Sequence, residues 1–182
     1  MGWWGTHFGR NQTWFEPGKA CFAYLGRVQT LLQRAEGVAD YLALDHAPAG
    51  ADTIPTATLL NGDVRVEDGA IVLPSGRRYP FLQLPPGDVM LPEVARALKQ
   101  LVSAGGMIAG PKPVRSPSLS GYPVADGEVR KIGEELWGRT NVLIRTMSIS
   151  PPVIVTGANI RTTSRKDGQT DIFFLANTGE YG

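Results

Sequence analysis

The chain has 182 residues, of which 42% are hydrophobic and 19% are charged, and its formal net charge is +1. These values are ordinary for a globular protein, and the near-neutral charge gives no reason to expect nucleic acid or an anionic membrane as a partner. The single cysteine, Cys21, excludes an internal disulfide and a thiolate zinc site. No apolar run has the length of a membrane span, and the first residues lack the basic and apolar regions of a signal peptide.

The opening segment is the strongest candidate for a binding function. Residues 5–15 read GTHFGRNQTWF, so an imidazole, a guanidinium and carboxamides alternate with aromatic rings, and glycines at positions 2, 5 and 9 disfavour a regular helix or strand. Indole faces stack on the apolar faces of sugar rings, while polar side chains bond the sugar hydroxyls. The segment predicts a carbohydrate-binding loop that uses His7, Arg10, Asn11 and Trp14. The alternative is an aromatic cluster that caps the following helix, with the polar groups solvated.

An amphipathic helix is predicted directly behind this loop, from about Phe15 to Arg34. Pro17 suits the first helical turn, Glu16 suits its positive end, and Arg34 suits its negative end. Apolar residues recur at steps of three and four, forming a stripe of Cys21, Tyr24, Leu25, Val28, Leu31 and Leu32. We expect this stripe to be buried and Cys21 to be a structural thiol rather than a nucleophile.

Residues 38–110 predict an open, mainly parallel α/β sheet of flavodoxin-like type. A strand, a helix and a strand follow one another with short links, as in a βαβ unit. The predicted elements are strands at 38–44, 64–67, 70–73, 81–84 and 107–109 and a helix at 91–104, with a loop at 47–56. Asp68-Gly69 predicts the turn of a hairpin between the second and third strands. The sheet is small, because its first crossover lacks a full helix.

Two further groups of polar residues follow predicted strands. Asp45 and His46 come directly after the first strand, at the end where open parallel sheets bind ligands, although solvated loop residues are the alternative. Lys112 and Arg115 lie in a proline-rich segment, residues 110–117, which either presents them to a ligand or serves as a rigid connector.

The last third of the chain predicts a helix followed by β structure. The helix is expected at 126–137, and strands are expected at 152–156, 160–164 and 171–176. The last two strands form a hairpin through Lys166-Asp167-Gly168 and open an all-β module.

The motifs of several enzyme classes are missing. The sequence has no GxSxG elbow and no Gly-rich phosphate loop, and His7 and His46 are not at metal-ligand spacing, so no metal site is predicted. An amidotransferase-like or flavin-binding role would need one of these features or a cysteine at a strand-to-helix elbow. Glycoside hydrolysis needs a pair of carboxyl groups. Glu16 and Asp45 do not form such a pair in the predicted elements, so catalysis would be completed by residues outside this chain.

An ordered set of short motifs resembles the α-L-rhamnosidase family numbered 106 among the glycoside hydrolases. The resemblance runs along nearly the whole chain and rests on GTHFGRNQTW (5–14), YLGRVQTLLQ (24–33), LPSG (73–76), LPP (84–86), GPKP (110–113), SPSL (116–119), ELWG (135–138) and DIFFLAN (171–177).

The resemblance implies a large protein with a (β/α)8 catalytic barrel, a flavodoxin-like domain and β-sandwich modules. On that map residues 1–35 are the last loop and helix of the barrel, residues 36–140 the flavodoxin-like α/β domain, and residues 141–182 the start of the β region. Barrel loops that follow strands build active sites, which favours the sugar-binding interpretation of the opening loop. The family implies inversion by a glutamate acid and a glutamate base, here expected upstream of Met1, together with calcium dependence of the full-length enzyme. The location is left open, and a periplasmic or secreted full-length protein is compatible with the sequence. Residues 47–60 form a shorter segment than in the family, which weakens the case for a ligand role of the α/β domain.

Two functions are therefore carried forward. In the first, the chain is a fragment, inactive alone, of a hydrolase that cleaves terminal α-L-rhamnosyl or related deoxysugar linkages in plant-type polysaccharides or glycosides. In the second, it is a non-catalytic α/β carbohydrate-binding or interaction module derived from such an enzyme.

Overall fold

The computed structural model describes residues 9–46, 48, 50–144, 153 and 159–179. The contacts divide the chain into two compact units, residues 1–38 with 155–182 and residues 39–154. The helices are α1 (Phe15–Arg34), α2 (Thr56–Leu60), α3 (Pro92–Ser103) and α4 (Val124–Leu136). The strands are β1 (Glu36–Gly37), β2 (Tyr41–Leu44), β3 (Ala51–Ile54), β4 (Arg65–Glu67), β5 (Ala70–Val72), β6 (Arg78–Tyr79), β7 (Leu82–Gln83), β8 (Ile108–Ala109), β9 (Val142–Leu143), β10 (Ile160–Asp167) and β11 (Thr170–Asn177).

The first unit combines α1 with a three-stranded antiparallel sheet in the order β1-β10-β11. The hairpin of β10 and β11 confirms the prediction, and its strands are longer than predicted. Gly168, with a φ of 58°, lies in its turn, a conformation that glycine adopts without a steric penalty. Arg34 Nε donates a 2.8 Å hydrogen bond to Asp167 Oδ2, which fastens the end of α1 to this turn. The strand predicted at 152–156 lies outside the described residues apart from Val153.

The first helix has the predicted bounds, but the prediction that its apolar stripe is buried is wrong. No residue of α1 is buried, Tyr24 and Leu31 are 49% and 50% exposed, and Cys21 is exposed. Hydrophobic periodicity identifies which face of a helix is apolar, but it does not identify the layer that covers this face. Within the described residues no layer covers it.

The second unit is built on a five-stranded sheet in which all strand pairs are parallel. The strands follow the order β3-β2-β7-β8-β9, so β3, the second strand of this sheet in chain order, lies outside β2, the first, and the other three follow on the opposite side of β2. A separate antiparallel sheet, β4-β5-β6, contains the predicted hairpin, with the turn at Asp68 and Gly69. Helices α3 and α4 confirm the predicted helices to within two residues.

The predicted loop at 47–56 is wrong in its second half, because β3 occupies Ala51–Ile54. β3 pairs with β2 in parallel register from Tyr41↔Ala51 to Leu44↔Ile54, although only residues 45–50 connect the two strands. After β3, residues 56–60 form the short helix α2, whose five residues are too few for a full crossover helix. The sequence prediction also missed the two-residue strands β1, β6 and β9.

The main apolar core of the second unit packs the parallel sheet against α3 and α4. Leu42, Leu82, Leu98, Ile108 and Leu136 have no or almost no exposed surface. On a smaller second cluster the rings of Tyr41 and Phe81 stack with centroids 5.0 Å apart and planes 9° from parallel. Among the described helices, none is both long enough and apolar enough to cross a bilayer. The three-part domain division expected from the sequence stays a prediction.

Candidate functional site

The described part of the predicted sugar-binding loop is a tight turn that leads into α1. The Gln12 amide donates to the Gly9 carbonyl at 3.0 Å, and the Phe15 amide donates to the Gln12 carbonyl at 3.0 Å. Arg10 and Asn11 lie in this turn with exposed side chains. His7 lies outside the described residues. The turn therefore presents a guanidinium and a carboxamide side by side to solvent.

Trp14 is half-buried and stands at the start of α1. Its carbonyl accepts a 2.7 Å hydrogen bond from the Gly18 amide, and its ring lies 6.4 Å from the ring of Phe22 at an angle of 42°. A Cβ at Gly18 would come within 3.0 Å of Trp14 Cε3, so the glycine provides the space in which the indole lies. The indole thus packs on the first turns of its own helix while part of it stays accessible, which leaves both alternatives for this residue open.

Asp45 and His46, the pair at the end of β2, bond to neighbouring chain segments. Asp45 adopts a left-handed φ of 57°, and its Oδ1 accepts a 2.7 Å hydrogen bond from the Thr56 amide, while its Oδ2 accepts from the Thr56 hydroxyl. His46 Nδ1 lies 2.7 Å from the Leu44 carbonyl, which assigns the proton to Nδ1 because a carbonyl can only accept. The Thr53 hydroxyl donates to the His46 carbonyl at 2.9 Å. These contacts fix the start of α2 and the second half of β3 to the end of β2, which is a structural role.

The proline-rich segment after β8 is held by backbone hydrogen bonds on one side and by α4 on the other. The Val114 amide donates to the Asp88 carbonyl at 2.8 Å, and the Met90 amide donates to the Arg115 carbonyl at 3.0 Å. A Cβ at Gly133 of α4 would lie only 2.7 Å from the Pro113 carbonyl oxygen. The rigid connector was one of the two interpretations of this segment, and these contacts support it. The side chains of Lys112 and Arg115 are exposed.

The structure also shows a groove that the sequence did not indicate, here called the α3–α4 groove. It has a volume of ≈ 550 Å³ and lies between the start of α3, residues 116–123 and the start of α4. This volume is within the range of about 300–1,000 Å³ that is usual for small-ligand clefts. Its walls include Arg96, Ser116, Ser118, Tyr122 and Glu128. These residues come from three separate segments, so no local pattern brings them together. The one local signal is the alternation of serines with apolar residues in SPSLSGYP, residues 116–123.

The described residues contain no group of three or more histidine, cysteine, aspartate or glutamate side chains that could hold a metal ion. Neither the turn before α1 nor the α3–α4 groove is therefore assigned a metal. Both places offer hydrogen bonding and aromatic contact, and the groove also contains the Arg96–Glu128 ion pair.

The architecture is that of a mixed α/β protein with one parallel sheet and separate antiparallel sheets, and it is similar to part of a solved rhamnosidase. The structure described as "Structure of Rhamnosidase from Novosphingobium sp. PP1Y" superposes with a TM-score of 0.74 over 95% of this chain at 24% identity. This likeness shows the fold.

The family is shown by the sequence. The family model for glycoside hydrolase family 106, described as alpha-L-rhamnosidase, matches residues 1–181, and the chain belongs to this family. A curated relative from Formosa agariphila is named "Putative beta-glucuronidase". It is 32% identical to this chain over an alignment 199 residues long, which includes 95% of this chain. The chain spans 17% of the length of that relative and 20% of the length of the solved rhamnosidase.

Proposed function

We propose that this chain is part of a longer glycoside hydrolase that cleaves terminal α-L-rhamnosyl, or related deoxysugar, linkages in plant-type polysaccharides or glycosides. The observation that carries the proposal is the match of the rhamnosidase family model to residues 1–181. The relatives are five to six times as long as the matched region, since the chain spans 17% of one and 20% of the other.

The catalytic acid and base are proposed to lie outside this chain, with inversion as the stereochemical outcome. Inverting hydrolases hold two carboxyl groups about 6.5–9.5 Å apart, with room for a water molecule between them and the sugar. The carboxylates that the sequence offered as candidates already have partners, because Glu16 Oε2 lies 2.6 Å from Lys19 Nζ and Asp45 binds Thr56. Their contacts favour structural roles for both.

The exposed face of α1 supports a place at the end of a catalytic barrel. Tyr24, Leu25 and Leu31 of its apolar stripe are about half-exposed, and they form a surface that a preceding part of a longer protein would cover. The β3-β2-β7-β8-β9 order, in which β3 lies outside β2, supports a flavodoxin-like domain after the barrel. The β10–β11 hairpin would open the β region.

Substrate binding is proposed for His7, Arg10, Asn11 and Trp14 at the barrel's active-site end. Arg10 and Asn11 are exposed next to each other in the turn, and Trp14 keeps part of its indole accessible. Guanidinium and carboxamide groups bond sugar hydroxyls, and an accessible indole face stacks on a sugar ring.

The test compares this chain with the longer protein encoded by the same reading frame, using p-nitrophenyl α-L-rhamnopyranoside and, because one relative carries a glucuronidase name, p-nitrophenyl β-D-glucuronide. We expect the longer protein to hydrolyse the rhamnoside and the 182-residue chain to hydrolyse neither. NMR of the first-formed sugar should show the inverted anomer, and chelation of calcium should lower the activity of the longer protein.

Release of sugar by the short chain would overturn the placement of the acid and base. Glucuronide hydrolysis without rhamnoside hydrolysis would overturn the substrate. Sugar binding without hydrolysis by the longer protein would favour the non-catalytic module.

A further inference from the structure

The α3–α4 groove lies where open α/β sheets bind their ligands. α3 follows β7 and α4 follows β8, so both helices begin on the side of the sheet at which these parallel strands end. In such sheets ligands occupy the crevice outside the carboxyl ends of the strands. The groove has a volume of ≈ 550 Å³, which is within the usual range for small-molecule sites. Its position and size are therefore those of a ligand site.

One wall of the groove is apolar and accessible. Tyr122 is 65% exposed and Val124 is 76% exposed, and both line the groove together with Leu91 and Pro92 from the start of α3. An exposed aromatic ring beside a cleft provides a flat surface against which the C–H face of a sugar ring can pack.

The groove is also lined by hydroxyl groups that are held in place by the backbone. The Ser116 hydroxyl oxygen accepts a 3.2 Å hydrogen bond from the Ser118 amide, and the Ser118 hydroxyl oxygen accepts a 3.1 Å bond from the Ser120 amide. Asp126 Oδ1 accepts from the Ser116 amide at 2.8 Å, which fixes this segment to α4. Because each of the two hydroxyls is used as an acceptor in these bonds, its own O–H proton can be donated to a ligand.

The charges in the groove favour a neutral ligand over an anion. Arg96 Nε lies 3.5 Å from Glu128 Oε1, and this ion pair joins α3 to α4 beside the groove. Glu93 also lines the groove, so its charged lining residues are two glutamates and one arginine. This balance opposes phosphate or carboxylate binding, although two helices start here. A carboxylate and a guanidinium in one place can respectively accept from and donate to the hydroxyls of a neutral polyol.

We infer that the α3–α4 groove is an accessory carbohydrate-binding site, in which a neutral sugar ring packs on Tyr122 and its hydroxyls bond Ser116, Ser118 and the Arg96–Glu128 pair. This site goes beyond the proposed hydrolysis, because it uses residues of the second unit rather than the turn before α1. It also does not depend on the hydrolytic activity. The protein could hydrolyse rhamnosides without binding sugar in the groove, and it could bind sugar in the groove without hydrolysing rhamnosides.

The test is a titration of the ¹⁵N-labelled 182-residue chain, followed by amide chemical shifts, with methyl α-L-rhamnopyranoside and methyl β-D-glucopyranoside as neutral probes and inorganic phosphate as the anionic probe. We expect at least one sugar to give saturable shifts in residues 91–96 and 116–128, and phosphate to give none there. Tyr122→Ala should weaken this binding about tenfold, and Tyr122→Phe should retain most of it because the ring is kept. Tyr24→Ala, which removes a similarly accessible tyrosine from α1, is the matched control and should bind like the wild type.

Three results would overturn the inference: no saturable shift in these residues with either sugar, shifts with phosphate instead of sugar, or equal sugar affinity of Tyr122→Ala and wild type. Because Tyr122 is mostly exposed, Tyr122→Ala should fold, and an unchanged pattern of amide shifts in the free variant checks this. The hydrolysis assay on the longer protein is a separate measurement, so failure of the groove and failure of the proposed enzyme activity are distinguishable.

Discussion

The Tyr79 hydroxyl donates a 2.6 Å hydrogen bond to Asp52 Oδ2, which joins β6 of the antiparallel sheet to β3 at the edge of the parallel sheet. Arg77 Nη1 lies 2.5 Å from the same carboxylate oxygen, and the Arg77 guanidinium stands 5.6 Å from the centre of the Tyr79 ring. β3 is reached from β2 by a short connection and has no neighbour on its outer side in the described sheet. The contacts with Asp52 therefore hold the edge strand against the rest of the second unit.

Replacing this phenol should cost stability without changing the packing of the ring. Tyr79→Phe removes a hydrogen bond to a charged acceptor, and we expect it to lower the free energy of unfolding by about 1–2 kcal/mol. Tyr41→Phe is the matched control, since Tyr41 is also buried on the sheet but no hydrogen bond of its hydroxyl is seen within the described residues; the expected change is under about 0.5 kcal/mol. Urea unfolding measures both variants. Equal losses in the two variants would show that the bond to Asp52 contributes no stability.

The same phenol predicts a loss of stability in alkali. Burial, followed by the hydrogen bond to Asp52, raises the pKa of Tyr79 to about 12. Because the folded-state pKa lies above the unfolded value, the contribution of Tyr79 is complete below about pH 10 and is lost as the pH rises towards 12. We expect the free energy of unfolding to fall in this window, and to fall less steeply in Tyr79→Phe. Parallel pH profiles of the two proteins would contradict the assignment.

Two glycines of α4 should respond to alanine in opposite directions. At Gly133 a Cβ would lie 2.7 Å from the Pro113 carbonyl oxygen, a backbone atom of the rigid connector, so we expect Gly133→Ala to cost about 1–3 kcal/mol through displacement of that segment. At Gly127 a Cβ would meet nothing within 4 Å, so Gly127→Ala should stabilise by about 0.5–1 kcal/mol through helix propensity. Thermal and urea unfolding check both. A gain of stability at Gly133 would show that α4 and the connector are not in close contact.

The exposed face of α1 predicts a difference between the short chain and the longer protein. Leu31 is half-exposed here, so Leu31→Ala should change the stability of the 182-residue chain by less than about 0.5 kcal/mol. If a preceding barrel covers this face, the same substitution should cost about 2–5 kcal/mol in the longer protein. Leu98→Ala, at a fully buried core position, should be costly in both and serves as the control. An equally small effect of Leu31→Ala in both proteins would contradict the proposed cover.

The sequence predicted the helices and turns that depend on residues close together in the chain. α3 was found because its apolar stripe recurs at helical spacing between Pro92 and Gly105, and the β4–β5 hairpin was found because Asp68 and Gly69 suit a turn that needs positive φ at both positions. β3 was missed because its four residues show no clear alternation and acquire strand structure from pairing with β2. The strand β9 is too short, at two residues, to carry a pattern.

The same distinction between neighbouring and distant residues applies to the two candidate sites. The turn before α1 was predicted because its polar and aromatic residues are contiguous, from Arg10 to Trp14. The α3–α4 groove combines residues as distant in sequence as Arg96 and Glu128, which only the packing of α3 on α4 brings to 3.5 Å. The burial expected for Cys21 failed for a related reason, since it depends on a covering layer that is not encoded in the helix itself.

Trp14 provides a test that separates sugar binding from helix packing. Its indole packs on Gly18 and Phe22, so removal of either ring should weaken the start of α1, but only the indole is proposed to contact sugar. In the longer protein we expect Trp14→Ala to lower kcat/KM on the aryl rhamnoside by about tenfold or more, equivalent to about 1.4 kcal/mol of transition-state binding. Phe22→Ala should destabilise α1 to a similar degree with a much smaller kinetic effect.

His7→Ala should lower activity with the fold intact, as judged by unchanged circular dichroism. Equal kinetic losses in Trp14→Ala and Phe22→Ala would assign Trp14 to packing, and unchanged kinetics in both His7→Ala and Trp14→Ala would remove this loop from the sugar site.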